Sequence, residues 1–190
     1  MNVLVPREGP PWNWSEQNAM LRRAVAAGVR QIMTPVRPMV LTKLERQMIS
    51  AFTAEYLGEP HCVALFGEWL SETALDLAIR ISDAAEQAAR PDPYGSLPGF
   101  SACRAERNGA TWHVDPALLA QIGPRMAAAL VYAHQSLMDP DLPTDAGELL
   151  AMGWSPEGVA EIDGVVAFVR QMAILRWIDK GAALPVQRIP

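Results

Sequence analysis

Apolar residues in this chain recur at intervals of three and four, the spacing of helices packed on helices. The clearest stretch is "LTKLERQMISAFTAEYLG", where Leu44, Met48, Phe52 and Tyr56 follow one another at four-residue steps with Ile49 beside them. Thr42 and Glu45 have the T-x-x-E spacing of a capping box, and Gly58 suits a C-terminal cap. The pattern therefore predicts a helix from about 41 to 57 with one apolar face. Pro60 fits the first turn of a second helix, where its missing N–H costs nothing. That helix carries Cys62, Leu65, Phe66, Trp69 and Leu70, and after a break near Ser71 the periodicity resumes through Leu77 and Ile81 to about Ala89.

The flanking regions read in the same way. A first helix is expected after Ser15, closed by Pro35 and Pro38. The segment "RPDPYGSLPGF" reads as a loop from its Pro and Gly content, and 101–114 carries no clear pattern. Short helices are predicted at 115–122 and 124–138, and "DPDLP" is a turn. Thr144 or Asp145 opens another short helix that ends at Gly153. Ser155, Pro156 and Glu157 supply a cap, an N1 proline and a first-turn acid for a long final helix to about 180, stopped by Gly181. Val159, Ile162, Val166, Val169, Ala173 and Trp177 form one stripe on it, which Val165, Phe168, Met172 and Leu175 widen. So broad an apolar surface predicts burial between neighbours. An irregular arm over 1–14 and an extended tail over 182–190 are expected, on an otherwise single helical domain spanning 1–190.

Composition adds exclusions. Of 190 residues, 50% are hydrophobic, with Ala, Leu and Met abundant, which favours an all-α fold. The net charge is −5 and the basic residues are dispersed, so no nucleic-acid footprint is present. Charges interrupt every apolar window before a bilayer could be crossed, and "MNVLVPREGPPWNW" does not read as a signal peptide; a cytoplasmic protein without membrane contact is expected. Two cysteines, Cys62 and Cys103, are too few for a disulfide framework and form no C-x-x-C pair. His61, His113 and His134 have no metal-ligand spacing, and no cofactor or metal is expected.

Candidate chemistry centres on "LGEPHCVALFGEWL". Cys62 is either a reactive thiol or a core-filling one. His61 is a proton shuttle for it or an exposed first-turn residue. Glu55 and Glu59 flank the turn, as a general acid or base or as solvated helix-end charges. Cys103 is a possible resolving thiol if its Cα lies within ~7 Å of that of Cys62. His134 reads as a hydrogen-bonded core or interface residue, and His113 as part of a loop. Trp12, Trp14, Trp154 and Trp177 belong to an oligomer contact, an apolar pocket or an ordinary core.

Two segments carry a resemblance. They are the helix pair 41–70, with a cysteine at the start of its second helix, and 125–181, where Leu150, Gly153, Trp154, Ser155, Gln171 and Arg176 follow in order. Together they resemble the AhpD-like, carboxymuconolactone decarboxylase-like superfamily of peroxidase-related proteins. The resemblance implies an AhpD-like helical bundle, assembly into a homo-oligomer, and descent from thiol peroxidases that reduce a small hydroperoxide. Active members carry E-x11-C-x2-C-x3-H. With Cys62 as the second cysteine, Gln47 stands at the glutamate, Glu59 at the first cysteine and Phe66 at the histidine. No disulfide can form within this motif, because Glu59 holds the resolving position. Three readings follow from the resemblance. One is peroxide reduction through Cys62 with His61 as helper. Another is a degenerate member that binds an apolar small molecule or a protein in a pocket lined by Phe66, Trp69 and the last helix. A third is lactone decarboxylase-like chemistry using His134 with Glu55 or Glu68.

Overall fold

Thr42 sets the register of the bundle. Its hydroxyl accepts the Glu45 N–H at 3.2 Å, and the Glu45 carboxylate accepts the Thr42 N–H at 2.7 Å, so two orphan donors are satisfied reciprocally. In this computed structural model, which describes residues 14–35, 40–89, 112–138 and 144–179, that cap opens the helix on which the others are assembled. The helices are α1 (Trp14–Met33), α2 (Lys43–Leu57), α3 (Pro60–Ser71), α4 (Leu75–Ala89), α5 (Pro116–Met138), α6 (Gly147–Ala151) and α7 (Pro156–Asp179). No strand occurs among the described residues, and the fold is all-α. Residues 1–13, Pro38, 90–111 with Cys103, 139–143, Gly181 and 182–190, where the sequence reading expected most of the arm, a loop, a turn and the tail, lie outside the described residues.

The chain reverses between α2 and α3 at Gly58. Its φ of 66° is a left-handed conformation that favours glycine, and its N–H closes on the carbonyls of Ala54 and Glu55. The sequence predicts one apolar face for α2, but the structure buries it almost all round. Met48, Ile49, Phe52, Ala54 and Tyr56 are buried, and so are Arg46, Gln47, Ser50 and Thr53. The reason is topological: α2 is the central helix, touching α1, α3, α4, α5 and α7.

The two short helices expected at 115–122 and 124–138 are the two halves of α5. The backbone leaves helical geometry at Gly123 (φ 77°, ψ 163°), one residue before Pro124. The short helix expected from Thr144 or Asp145 is α6, shorter by a few residues. The Asp145 carboxylate accepts the Gly147 N–H at 2.9 Å, and Gly153, at φ 85°, ends the turn that follows. Ser155 caps α7 by accepting the Gly158 N–H at 3.2 Å.

The expectation that α7 is enclosed by neighbours is corrected within the chain. Ile162, Val165, Val166, Val169, Met172 and Ala173 are buried, whereas Asp163, Gly164, Ala167 and Gln171 face solvent. Polar contacts fix this helix to the start of α2. The Glu161 carboxylate accepts the N–H groups of Val40 and Leu41 at 2.9 and 2.8 Å. Arg125 pairs with Glu45, lies 3.5 Å from the centre of the Trp154 ring, and through its carbonyl accepts the indole N–H at 2.9 Å. Trp154 is therefore an internal anchor of this chain, buried at 3% exposure.

Candidate functional site

The turn between α2 and α3 places the predicted residues in three different environments. Glu59 is the N-cap of α3. One of its carboxylate oxygens accepts the N–H groups of His61 at 3.0 Å and Cys62 at 2.9 Å. A negative charge here also faces the positive end of the helix dipole. Glu59 is fully buried, which corrects its reading as a solvated helix-end charge. Burial is tolerable because the charge is met by backbone donors and by His61, whose Nδ1 lies 3.3 Å from the other oxygen. The His61 side chain itself is 57% exposed and stands on the outer side of the cap.

Cys62 points the other way. It has no exposure and belongs to the core cluster with Phe66, Trp69 and Leu70. Phe66 is also fully buried, and its ring lies 6.5 Å from that of Trp69. Gln47, which the resemblance sets at the motif's glutamate, is fully buried too. Its amide nitrogen donates to the Trp69 carbonyl and, at 2.8 Å, to the Thr73 hydroxyl, tying α2 to the α3–α4 junction. Cys62, Phe66 and Trp69 thus form packed wall rather than an open pocket.

His134 sits elsewhere. Its ring is buried on α5, edge-on to Tyr56 at 5.5 Å and tilted against Trp112 at 5.6 Å, and Phe52 continues the aromatic cluster against Trp112. Nδ1 of His134 has no hydrogen-bond partner among the described residues. Burial pushes its pKa below the ordinary value, opposed by a hydrogen bond with the Ala88 backbone. The Tyr56 hydroxyl, donating to Met138 sulfur at 3.1 Å, is pushed by burial up to about 12. His113 is exposed, as expected of a loop residue.

Glu55 and Glu68 share an open groove of about 340 Å³ between α2, α3 and α4. Its walls are small: Ala51 from α2, Ala64 and Gly67 from α3, and Ala78 from α4, with the Ser71 and Ser82 hydroxyls at the edges. Burial raises the Glu55 pKa above the ordinary carboxylate value, and the negative charge of Glu86 raises it further, while a hydrogen bond from Ser82 pulls it down. The sequence reading named the two carboxylates but missed the walls. Their signal was available, since Ala64, Gly67 and Ser71 recur at helical spacing on α3, as do Ala78 and Ser82 on α4. The structure brings Glu55 to Glu68, not to His134, whose described neighbours are aromatic rings and the Ala88 backbone. Cys62 does not line this groove, although the adjacent Val63 does.

Among the described residues no cluster of His, Cys, Asp and Glu is arranged to hold a metal ion, and no helix is long and apolar enough to cross a membrane. Comparison with protein-family models, with curated proteins and with solved structures found no match to this chain.

Proposed function

We propose that this protein is a binding module of AhpD-like descent in which the cysteine site serves structure, and that the groove between α2, α3 and α4 receives a small ligand with an apolar body and a cationic head. The observation that carries this reading is the complete burial of Cys62. A peroxidatic thiolate must meet its peroxide and then a second thiol, and both steps need access to the sulfur. Phe66, fully buried beside Cys62, adds apolar bulk where the resemblance places a proton-carrying histidine.

The groove supports the ligand class. Its small apolar walls suit a hydrocarbon, and Glu55 and Glu68 are among the residues that line it. Glu55 is held partly out of water and near the like charge of Glu86, so an ammonium group beside it supplies the opposite charge that offsets both effects. Few polar groups around an apolar floor are the ordinary make-up of a small-molecule site.

Two measurements test the proposal. In a Cys103→Ser background, the native protein should react with a thiol reagent only as fast as it unfolds, with no effect of prior hydroperoxide. Rapid labelling that peroxide blocks would restore the peroxidase reading. Calorimetric titration with alkylammonium ions of increasing chain length should give saturable heats that strengthen with length and disappear in Glu55→Gln. Equal heats with both proteins, or none with either, would refute the groove as the ligand site.

A further inference from the structure

The central helix carries a row of polar groups inside the core. Gln47, Ser50 and Thr53 follow at three-residue steps on α2, and each is fully buried. Among the described residues, Gln47 Oε1, Ser50 Oγ and Thr53 Oγ1 have no hydrogen-bond partner. Gln47 cannot turn its oxygen toward the α3–α4 junction, because the Trp69 carbonyl that its nitrogen meets there can only accept. The two hydroxyls depart from the habit of this chain. Thr34 and Ser136 donate to the carbonyls of Arg30 and Tyr132, four residues back in the helix, both at 3.0 Å. Ser50 and Thr53 make no such bond. Three neighbouring polar groups left dry call for an explanation beyond packing.

The row lies toward α7. Arg46, Ser50 and Thr53 share one face of α2 at i, i+4 and i+7, and on α7 the charge of Glu161 acts on Arg46. The buried side chains that follow on α7 are Val165, Val166, Val169, Met172 and Ala173, and they offer these hydroxyls no oxygen or nitrogen. Polar bonds hold α7 only near its start. Glu161 accepts the Val40 and Leu41 N–H groups, and Asp163 accepts the Tyr132 hydroxyl at 2.8 Å. From Val165 onward no side chain of α7 hydrogen-bonds another helix among the described residues.

We infer that α7 opens from α2 along this row, pivoting near Glu161 and Asp163, and that water enters to bond Gln47, Ser50 and Thr53. The packed state keeps apolar surface dry at the cost of three unsatisfied groups. The opened state wets that surface and satisfies the groups. These effects oppose each other, which brings the two arrangements close in free energy. Local opening within a folded protein draws on contacts of this kind. The row is separate from the proposed ligand groove, to which α2 contributes Ala51 and Glu55 from another side, so either reading can fail alone.

The test is native-state hydrogen exchange of the full chain at several low urea concentrations, with far-UV circular dichroism to establish folding. In wild type, the amides of Val165, Val166, Val169 and Met172 should exchange through an opening whose urea dependence is smaller than that of global unfolding. Thr53→Val keeps the shape and the β-branch and removes the hydroxyl. It should raise the protection of these amides on the order of tenfold, because the packed state no longer holds that group dry. Adding Ser50→Ala should raise protection further. Thr53→Ser keeps the hydroxyl and should give no gain. Exchange of these amides only through global unfolding overturns the inference. So does a folded Thr53→Val protein whose α7 protection is unchanged or lower, or an equal gain in Thr53→Ser.

Discussion

Removing the Glu59 carboxylate is the sharpest test of how the α2–α3 turn is held. In Glu59→Ala, the N–H groups of His61 and Cys62 lose their acceptor, and the Cys62 donor has no route to water without local opening. Loss of an N-cap acceptor costs about 0.5–2 kcal/mol. Leaving one buried donor unsatisfied adds about 1–3 kcal/mol. Against this stands the cost of burying a carboxylate, which the substitution removes. Because the charge is met by two backbone donors and an adjacent imidazole, we expect the losses to win, with a net destabilisation of about 2–3 kcal/mol.

Two further substitutions separate cap from charge. Glu59→Gln keeps an acceptor oxygen and loses the charge at the helix terminus, a loss of about 1 kcal/mol. Glu59→Ser restores a short cap but leaves a void beside the turn, and should fall between the other two. Urea unfolding followed by circular dichroism measures all three, and unchanged slopes would show that only native stability has moved. Native-state hydrogen exchange adds a local readout: the amides of His61 and Cys62 should lose protection first in Glu59→Ala. If Glu59→Ala is as stable as wild type or more so, the buried charge is a net burden and the capping argument fails.

Other positions give independent outcomes. Burial lowers the His134 pKa from 6.5, so its contribution is complete above that value and is lost as pH falls through the folded pKa; the stability gap between wild type and His134→Phe should therefore change only on the acid side of 6.5, by at most about 1.4 kcal/mol per pH unit. Glu55 has the opposite sign: its pKa is raised from 4.5, so its contribution is present below that value and lost as pH rises, and Glu55→Gln should flatten this part of the urea-midpoint profile. Gly123→Ala should cost about 1–3 kcal/mol in urea unfolding despite open space around it, because φ 77° with ψ 163° is a conformation nearly confined to glycine. Arg125→Met removes the pair with Glu45 and the contact over Trp154, and should cost about 1–2 kcal/mol, less at high salt.

Much of the helical order was legible because it depends on local rules. Thr42 with Glu45, Gly58 before Pro60, and Ser155 before Pro156 are caps and turns whose chemistry lies within a few residues. Burial of polar residues was not legible. Nothing near Gln47 predicts that its amide will meet a carbonyl 22 residues away, and nothing in the pattern of α2 shows that five other helices will surround it. Glu59 misled for a related reason: a glutamate at a helix start usually stands in water, and only the fold of α3 onto α2 removes the water here. The groove was missed because small residues leave space without announcing it. Alanine and glycine are ordinary in a helix, and their placement on facing helices is a tertiary fact.

Gln47, Glu59 and Phe66, the positions that the resemblance aligns with the motif, make sense as a set. If the chain descends from a cysteine-pair enzyme, three of the motif positions now hold residues with structural tasks. Gln47 can donate to the Trp69 carbonyl and the Thr73 hydroxyl, which a carboxylate at the same place could not do while ionised. Glu59 accepts two backbone donors that a thiol would satisfy poorly. Phe66 fills core volume with no polar atom to desolvate, whereas an imidazole there would need a partner. Gln47 and Glu59 act as hydrogen-bond partners here, and Phe66 as core volume. Cys62 fits the same logic, since a fully buried thiol fills core volume like a small apolar residue. A substitution at Gln47, Glu59 or Phe66 would therefore break a structural contact at that position.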